Sequence, residues 1–262
     1  MTARAAPAGA IWGSAPFDRI AAGAAASHEA VVTALDLVPG TRVLDIATGT
    51  GAVALRAAEQ GAVVTAVDIA PQLLERARGA ALEAGLAIEF LVADVQQLPF
   101  APGSFDAVAS AQGAVFASDR ETVARELARV CKSGGLLGLT CPIATEFPFE
   151  LARILASFRT GTREAWLRPF AWGDPAEAER LLGRAFDLVF SELPAPFRVA
   201  TPREGWDVYS ESFGPLSDLL RSLEPAGRAE LRARVLELLG RYVTSDGVIA
   251  SRPLLLVAGR RR

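Results

Sequence analysis

Short apolar runs alternate with segments of helical period over the first 140 residues of this 262-residue chain. Each run is rich in Val, Leu, Ile and Ala and ends at a turn, a pattern typical of buried strands. The predicted strands are Arg42–Ile46, Ala62–Val67, Ile88–Val92, Phe105–Ser110 and Leu136–Thr140. Helices are predicted before and between them, over Ser27–Leu37, Ala52–Gln60, Pro71–Ala84 and Arg120–Val130. This alternation predicts an α/β fold with a doubly wound, mostly parallel sheet.

The pattern changes after Pro142, where helical segments become more frequent than strands. Helices are predicted over Phe147–Phe158, Pro175–Arg184, Arg203–Phe213 and Glu224–Tyr242, and strands near Phe186–Phe190 and Leu254–Gly259. The last two strands bring the predicted sheet to seven. Because no repeat or low-complexity linker divides the chain, we predict one domain over residues 1–262: an arm and first helix (1–38), a core (39–145) and a helical cap that contains the last two strands (146–262).

The run Val43–Gly51 is the most informative part of the sequence. Its apolar residues fit a buried strand, and Asp45 lies near the strand's end. Gly49 and Gly51 allow the backbone to turn sharply and to approach a ligand closely. A nucleotide-like cofactor would lie at this carboxyl end of the strand.

Two kinds of cofactor are compatible with this turn. The spacing Gly49-x-Gly51-x-x-Ala54 fits a dinucleotide site, in which a pyrophosphate lies at the helix N-terminus. Asp45 argues against that interpretation because a carboxylate before the turn would repel a pyrophosphate. The same carboxylate suits a cofactor with positive charge, such as the amino and sulfonium groups of S-adenosylmethionine.

Three carboxylates follow or end the first three predicted strands: Asp45, Asp68 and Asp94. Asp68 can accept hydrogen bonds from a ribose diol. Asp94 can accept one from an exocyclic amine, with the Val95 backbone beside it. Each aspartate alone is more often a helix N-cap or a turn residue. Three at one edge of a sheet indicate a binding site.

The composition excludes several classes of protein. A formal net charge of −3 disfavours a general nucleic-acid-binding surface. Cys131, Cys141 and the single His28 are too few for a disulfide framework or a metal cluster, and they fit a reduced, cytoplasmic protein. No apolar run is long enough to span a membrane.

Five segments together resemble the class I S-adenosylmethionine-dependent methyltransferases, in particular the ubiquinone/menaquinone-biosynthesis-like (methyltransferase type 11) group. They occur in that family's order and are Val43–Gly51, Val67–Leu74, Asp94–Phe100, Ser104–Val108 and Glu126–Gly135. The resemblance implies a Rossmann-like methyltransferase fold in which the first helix covers the cofactor. It also implies a cofactor site made of Asp45, Ala47, Thr48, Gly49, Gly51, Asp68, Ile69, Asp94, Val95 and Ser110, with S-adenosylhomocysteine as the product.

The sequence departs from that family at three loop positions. Ser133 stands where the family usually has proline, and Ser118 where it often has proline; both should leave the cofactor site intact. Gln112 replaces an aromatic or aliphatic residue just after the fourth strand. That position usually faces the transferred methyl or the acceptor. Gln112 is therefore a candidate catalytic or substrate contact, the alternative being a solvent-facing loop amide.

The residues that would bind the acceptor are harder to identify. His28 is a candidate base because histidine titrates near neutral pH, although a partly exposed helical histidine is the simpler interpretation. Glu29 and Glu146 are weaker candidates. Aromatic residues could form a substrate pocket, and they are Trp206, Tyr209 and Phe213 on one predicted helix, Trp166, Phe170 and Trp172 in an irregular stretch, and Trp12 and Phe17 in the arm. The helical stripe with Trp206 and Tyr209 is more often core packing.

We therefore expect a cytoplasmic S-adenosylmethionine-dependent methyltransferase that acts on carbon, oxygen or nitrogen of a small, fairly apolar acceptor, such as a quinone-type ring or a secondary metabolite. A homodimer is left open. The alternative is a protein of the same fold and cofactor that catalyses a cyclisation or elimination, or is a non-catalytic partner. An NAD-dependent oxidoreductase is disfavoured because it would leave Asp45 and Asp94 unexplained. Neither a metal ion nor a nucleic-acid partner is expected.

Overall fold

A computed structural model of the chain describes residues 8–15, 19, 24–158 and 166–262. Its strands are β1 (Arg42–Ile46), β2 (Val63–Asp68), β3 (Ile88–Val92), β4 (Phe105–Ala111), β5 (Cys131–Pro142), β6 (Phe186–Leu193), β7 (Pro196–Val199), β8 (Val243–Thr244), β9 (Gly247–Ser251) and β10 (Leu254–Arg261). Seven of them form one sheet in the order β3-β2-β1-β4-β5-β10-β6. The predicted seven-stranded sheet is confirmed.

The strand order fixes where a ligand can bind. β1 pairs in parallel with β2 on one side and with β4 on the other. The chain therefore runs outward from β1 through β2 to β3 and then crosses back to the other side of β1 at β4. β10 is the antiparallel strand, inserted between β5 and β6. In such a sheet a crevice opens at the carboxyl ends of the strands where the order reverses, here beside β1 and β4.

Ten α-helices can be bounded within the described ranges. They are α1 (Ala8–Trp12), α2 (Ala25–Ala34), α3 (Ala52–Glu59), α4 (Pro71–Glu83), α5 (Arg120–Val130), α6 (Glu146–Ser157), α7 (Pro175–Leu182), α8 (Pro202–Ser212), α9 (Gly214–Ser222) and α10 (Pro225–Gly240). Several begin where the sequence contains a start signal. Asp119 accepts a hydrogen bond from the Thr122 amide as the N-cap of α5, and Pro71 occupies the first turn of α4.

Both faces of the sheet are covered because residues alternate along each strand. Val43 of β1 packs with Val31 of α2 and Val53 of α3 on one face. Leu44 of β1 points to the opposite face and packs in a cluster that contains Leu127 of α5. A third cluster belongs to the cap, the unit formed by α6, α8, α9, α10 and the strands β7, β8 and β9. No helix among the described residues is long and apolar enough to cross a membrane.

The structure corrects the sequence-based prediction at four places. β7, β8 and β9 form a small antiparallel sheet in a cap that was predicted to be helical. α9 follows α8 almost immediately, and no helix was predicted there. β5 begins at Cys131 instead of Leu136, with a register shift opposite Phe105–Ala107. Helix α7 packs on the main sheet instead of in the cap, since Leu182 belongs to the cluster that contains Leu127.

Candidate functional site

The crevice beside β1 is lined by a sharply turned backbone. Ala47, Gly49 and Gly51 all have positive φ angles, of 49°, 58° and 87°. The chain therefore reverses within a few residues of the end of β1 and enters α3 at Ala52. Glycine adopts this conformation freely, whereas Ala47 stores strain of about 1 kcal/mol or more. Strain of this kind is concentrated at functional sites.

Asp45 is the most unusual group in the crevice. Its side chain is 1% exposed, and Oδ2 accepts hydrogen bonds from Thr48 Oγ1 (2.5 Å) and the Ala54 amide (3.1 Å). Its second oxygen, Oδ1, is buried and has no hydrogen-bond partner within the part of the chain that the structure describes. Burial raises the pKa of Asp45 to about 7, and the Asp68 carboxylate contributes in the same direction. An unpartnered buried carboxylate oxygen fits a cationic or hydrogen-bond-donating ligand.

Asp68 fixes the glycine turn to the end of β2. Its Oδ2 accepts a hydrogen bond from the Gly49 amide (2.8 Å), and its Oδ1 accepts one from the Ala70 amide (2.9 Å). Burial raises the pKa of this carboxyl, while the hydrogen bonds from Ala70 and Gly49 oppose the shift. Each oxygen keeps a second lone pair for a ligand hydroxyl.

Helix α1 lies against the loop that follows Asp68. Gly9 is so close to the backbone of Ile69 that a Cβ there would overlap the Ile69 carbonyl oxygen. The Ile69 side chain is 37% exposed and offers an apolar surface next to Asp68 in sequence. The N-terminal arm thus reaches the part of the crevice in which an adenosine group was expected.

Asp94 and Val95 form the next wall. Asp94 Oδ1 accepts hydrogen bonds from the backbone amide (2.9 Å) and the side-chain Nε2 (3.2 Å) of Gln96. Gln96 Oε1 in turn accepts from Ser118 Oγ and the Asp119 amide, both at 2.8 Å. Gln96 was missed by sequence reasoning, although its position two residues after Asp94 is typical of an Asx turn. It ties the loop after β3 to the start of α5.

The loop after β4 closes the other side of the crevice. Ser110 Oγ donates to the Ile46 carbonyl (2.8 Å) and accepts from the Ala114 amide (3.0 Å), so this hydroxyl joins β1 to the loop. Gln112 has a positive φ of 58°, and its backbone amide donates a hydrogen bond to the Thr140 carbonyl (3.0 Å). Gly113 was not predicted as a site residue. A Cβ there would overlap the Ala47 backbone, so only glycine permits this approach.

His28 lies on α2 and is 8% exposed, which corrects the simpler interpretation of a partly exposed histidine. Burial, and then the positive charge of Arg56, lowers its pKa to about 4. The imidazole is therefore neutral at physiological pH and is a weak base. Glu29 lies next to it and pairs with Arg56 at 3.7 Å. The role of His28 as a base stays a prediction.

The predicted aromatic residues separate into two groups. Trp206 and Tyr209 are buried in the cap cluster, and Trp172 is buried against the main sheet. Three half-buried rings (Trp12, Trp166 and Phe213) and the exposed ring of Phe116 meet where the arm, the loop after β4 and the cap converge. We call these four residues the aromatic junction. Its ring centroids are 4.7 Å apart for Trp12–Phe116, 5.9 Å for Trp12–Phe213 and 6.3 Å for Trp166–Phe213. Phe17 lies outside the described residues.

Comparisons with known proteins agree with the fold described above. Residues 44–139 match a family described as a methyltransferase domain. An uncharacterized protein of Mycobacterium tuberculosis is 35% identical over 88% of this chain and 85% of its own length. A demethylmenaquinone methyltransferase of Thermus thermophilus is 45% identical over 46% of this chain and 53% of its own length. The YcgJ protein of Bacillus subtilis has the same fold, with a TM-score of 0.65 at 22% identity over 90% of this chain and 98% of that protein.

Asp45→Asn tests whether burial of the Asp45 carboxylate lowers the free energy of unfolding. Since the pKa of Asp45 is raised from 3.8 to about 7 on folding, the ligand-free wild type loses stability as the pH rises through this range. The limiting slope is about 1.4 kcal/mol per pH unit. The Asn variant has no titrating group at this position and does not lose stability in this way. Urea denaturation should therefore show it to be more stable than the wild type at pH 7.

The difference between the two proteins should shrink as the pH is lowered towards 4. His28 adds a slope of opposite sign, because its lowered pKa makes stability fall as the pH drops from 6.5 towards 4. That slope is present in both proteins and cancels from the difference. A difference that is independent of pH would contradict the assignment to Asp45.

Proposed function

Because the chain belongs to the class I S-adenosylmethionine-dependent methyltransferases, we propose that it transfers the methyl group of this cofactor to carbon, oxygen or nitrogen of a small, apolar acceptor. The cofactor supplies an electrophilic methyl group on a positively charged sulfur. Transfer of such a group depends mainly on holding donor and acceptor in line, so no single signature base is required.

The unpartnered Oδ1 of Asp45 is the observation that carries the cofactor side of the proposal. A dinucleotide would bring a pyrophosphate to the same glycine turn, next to two buried carboxylates, Asp45 and Asp68. A cofactor with an ammonium and a sulfonium group brings the opposite charge. Asp45 would then accept a hydrogen bond from the amino group, and Thr48 and Ala54 hold its carboxylate in place for that contact.

The remaining cofactor residues fit the adenosine part. Asp68 would accept hydrogen bonds from the ribose hydroxyls with the lone pairs that Gly49 and Ala70 leave free. Ile69 offers apolar surface for the adenine ring, and Asp94 with the Val95 backbone would contact the ring's polar edge. Ala47, Gly49 and Gly51 give the backbone curvature around the cofactor, and Ser110 maintains the loop that faces it.

The acceptor side is argued from the aromatic junction and Gln112. Four rings at the meeting point of arm, loop and cap provide an apolar surface close to the loop that contains Gln112. This surface supports an apolar acceptor, and Gln112 would supply a polar contact to it. Trp206 and Tyr209 contribute through the packing of the cap. The Thermus relative is named for a quinone precursor, but it matches less than half of this chain, so a quinone-type ring is one candidate among apolar acceptors.

The cytoplasmic location and the homodimer stay predictions.

A turnover assay tests the reaction class. The purified chain is incubated with S-adenosylmethionine and a panel of apolar acceptors with phenol, amine or acidic carbon groups, and S-adenosylhomocysteine is quantified. We expect S-adenosylhomocysteine to accumulate in step with a methylated product. A cyclised product of unchanged elemental composition, or a product that has lost a leaving group, formed without S-adenosylhomocysteine, would instead identify the chain as a cyclase or an eliminase of the same fold.

Asp68→Ala tests the ribose contact. Loss of charge-assisted hydrogen bonds should weaken S-adenosylhomocysteine binding by about 2–3 kcal/mol, measured by calorimetry. Asp106→Ala is the matched control, because Asp106 lies at the amino end of β4, away from the crevice at the carboxyl ends of the strands, and pairs there with Lys132. NAD is titrated in parallel and should not bind. Equal affinity in the Asp68 variant and the wild type would show that this carboxylate does not contact the cofactor.

A further inference from the structure

Gln96 lies in the loop after β3, two residues after Asp94, the carboxylate proposed to contact the adenine ring. The start of this loop is fixed beside the crevice, because the Ala93 amide donates a hydrogen bond to the Asp68 carbonyl at the end of β2 (3.1 Å). Asp94 therefore follows directly after a residue that is bonded to the wall of the crevice. The contacts of Gln96 determine how the Asp94 carboxylate is held there.

Gln96 contacts both carboxylate oxygens of Asp94. Its backbone amide donates to Oδ1 (2.9 Å), and its side-chain Nε2 lies 3.2 Å from Oδ1 and 3.2 Å from Oδ2. Oδ1 thus has two donors, whereas Oδ2 has one donor within the described ranges and keeps a lone pair for a ligand. Asp94 is half-buried. A half-buried carboxylate without these contacts would exchange between rotamers, and a ligand would have to order it on binding.

The orientation of the Gln96 side-chain amide is determined by its neighbours on the other side. The backbone amide of Asp119 can only donate, and it lies 2.8 Å from Gln96 Oε1. Ser118 Oγ donates to the same oxygen, also at 2.8 Å. Because Oε1 must face these two donors, Nε2 must face Asp94. A rotation that exchanged the oxygen and the nitrogen of the amide would break contacts on both sides.

The far end of this network is the N-terminus of α5. Asp119 is the N-cap of that helix: its Oδ1 accepts from the Thr122 amide (3.0 Å) and its Oδ2 from Thr122 Oγ1 (2.6 Å). The helix itself is fixed by apolar residues buried in the core, among them Val123 and Leu127. Gln96 therefore connects Asp94 to a packed helix, and a binding group supported in this way is held in one geometry before the ligand arrives.

We propose that Gln96 is a positioning residue for adenine recognition, which holds Asp94 so that Oδ2 accepts a hydrogen bond from the exocyclic amine of the cofactor. This inference rests on the proposed function and assigns part of the preference for adenine to a residue that acts through another side chain. Loss of the Gln96 contacts should weaken the binding of ligands that carry this amine more than the binding of ligands that lack it.

The test compares S-adenosylhomocysteine with its analogue in which hydrogen replaces the 6-amino group, by calorimetric titration of the full chain. The two ligands share every other group, so the ratio of their dissociation constants reports the contact with the amine. The wild type should bind the amine-bearing ligand roughly tenfold or more tightly, as expected for a hydrogen bond to a charged acceptor. Gln96→Met, similar in length but without the polar groups, should reduce this preference to about threefold or less.

Two further variants separate the contact with Asp94 from a general effect on the loop. Gln96→Lys keeps a donor for Asp94 and loses the acceptor for Ser118 and Asp119, so it should keep more of the preference than Gln96→Met. Gln97→Met is the matched control, because it makes the same substitution at the next residue, which is exposed. The control should show the wild-type preference.

Urea denaturation shows whether each variant is folded, and Gln96→Ala replaces Gln96→Met if the latter does not fold. Equal affinity of the wild type for the two ligands, or a full preference in Gln96→Met, would overturn the inference. An equal loss of preference in Gln96→Met and Gln96→Lys would also overturn it, because the connection to α5 alone would then explain the effect. Failure of the wild type to bind S-adenosylhomocysteine would contradict the proposed function instead.

Discussion

A carboxylate buried at the end of a parallel strand is the constraint around which this molecule is arranged. Asp45 has one oxygen held by Thr48 and Ala54 and the other without a partner, in a position almost closed to solvent. Ionisation of a carboxyl buried in this way is unfavourable unless a partner of opposite charge or a hydrogen-bond donor is supplied. The fold does not supply it from within the described chain. A ligand that supplies a positive charge or a hydrogen-bond donor would make the contact that Asp45 Oδ1 lacks in the folded chain.

The surrounding structure serves to keep that oxygen in place. Asp68 holds the glycine turn from β2, and Ser110 and Gly113 hold it from β4. The turn is therefore supported from both neighbouring strands, at the point where the order of the sheet reverses. Strained backbone at Ala47 and Gln112 persists because these contacts fix it from both sides. These contacts hold the proposed cofactor side, whereas the proposed acceptor side lies between the arm and the cap.

Sequence reasoning succeeded where the information is local. The first four strands and the helices between them were predicted with bounds that differ by only a residue or two from the structure, because hydrophobic period and turn residues specify them. Asp45, Asp68 and Asp94 could be identified because each stands near the end of such a strand. The small sheet of the cap could not be predicted from the sequence. Its strands β7 and β9 are short, and they pair across an intervening stretch that contains three helices.

The residues that were missed depend on contacts between distant parts of the chain. Gly113 matters because it approaches Ala47, and Gln96 because it joins the loop after β3 to Ser118 before α5. Trp172 was a candidate for a substrate pocket, yet its ring is buried in the cluster that contains Leu127. No local pattern distinguishes a ring that lines a pocket from a ring that packs in a core.

Proton release on cofactor binding shows whether Asp45 ionises against the cofactor's amino group. S-adenosylhomocysteine is titrated into the wild type and Asp45→Asn at pH 6, in two buffers of different ionisation enthalpy. If Asp45 is protonated in the free chain and ionised against the cofactor's amino group, the wild type should release about one proton and the variant none, with weaker binding. Binding of equal strength to both proteins, without a difference in proton release, would show that the buried carboxylate does not bind the cofactor.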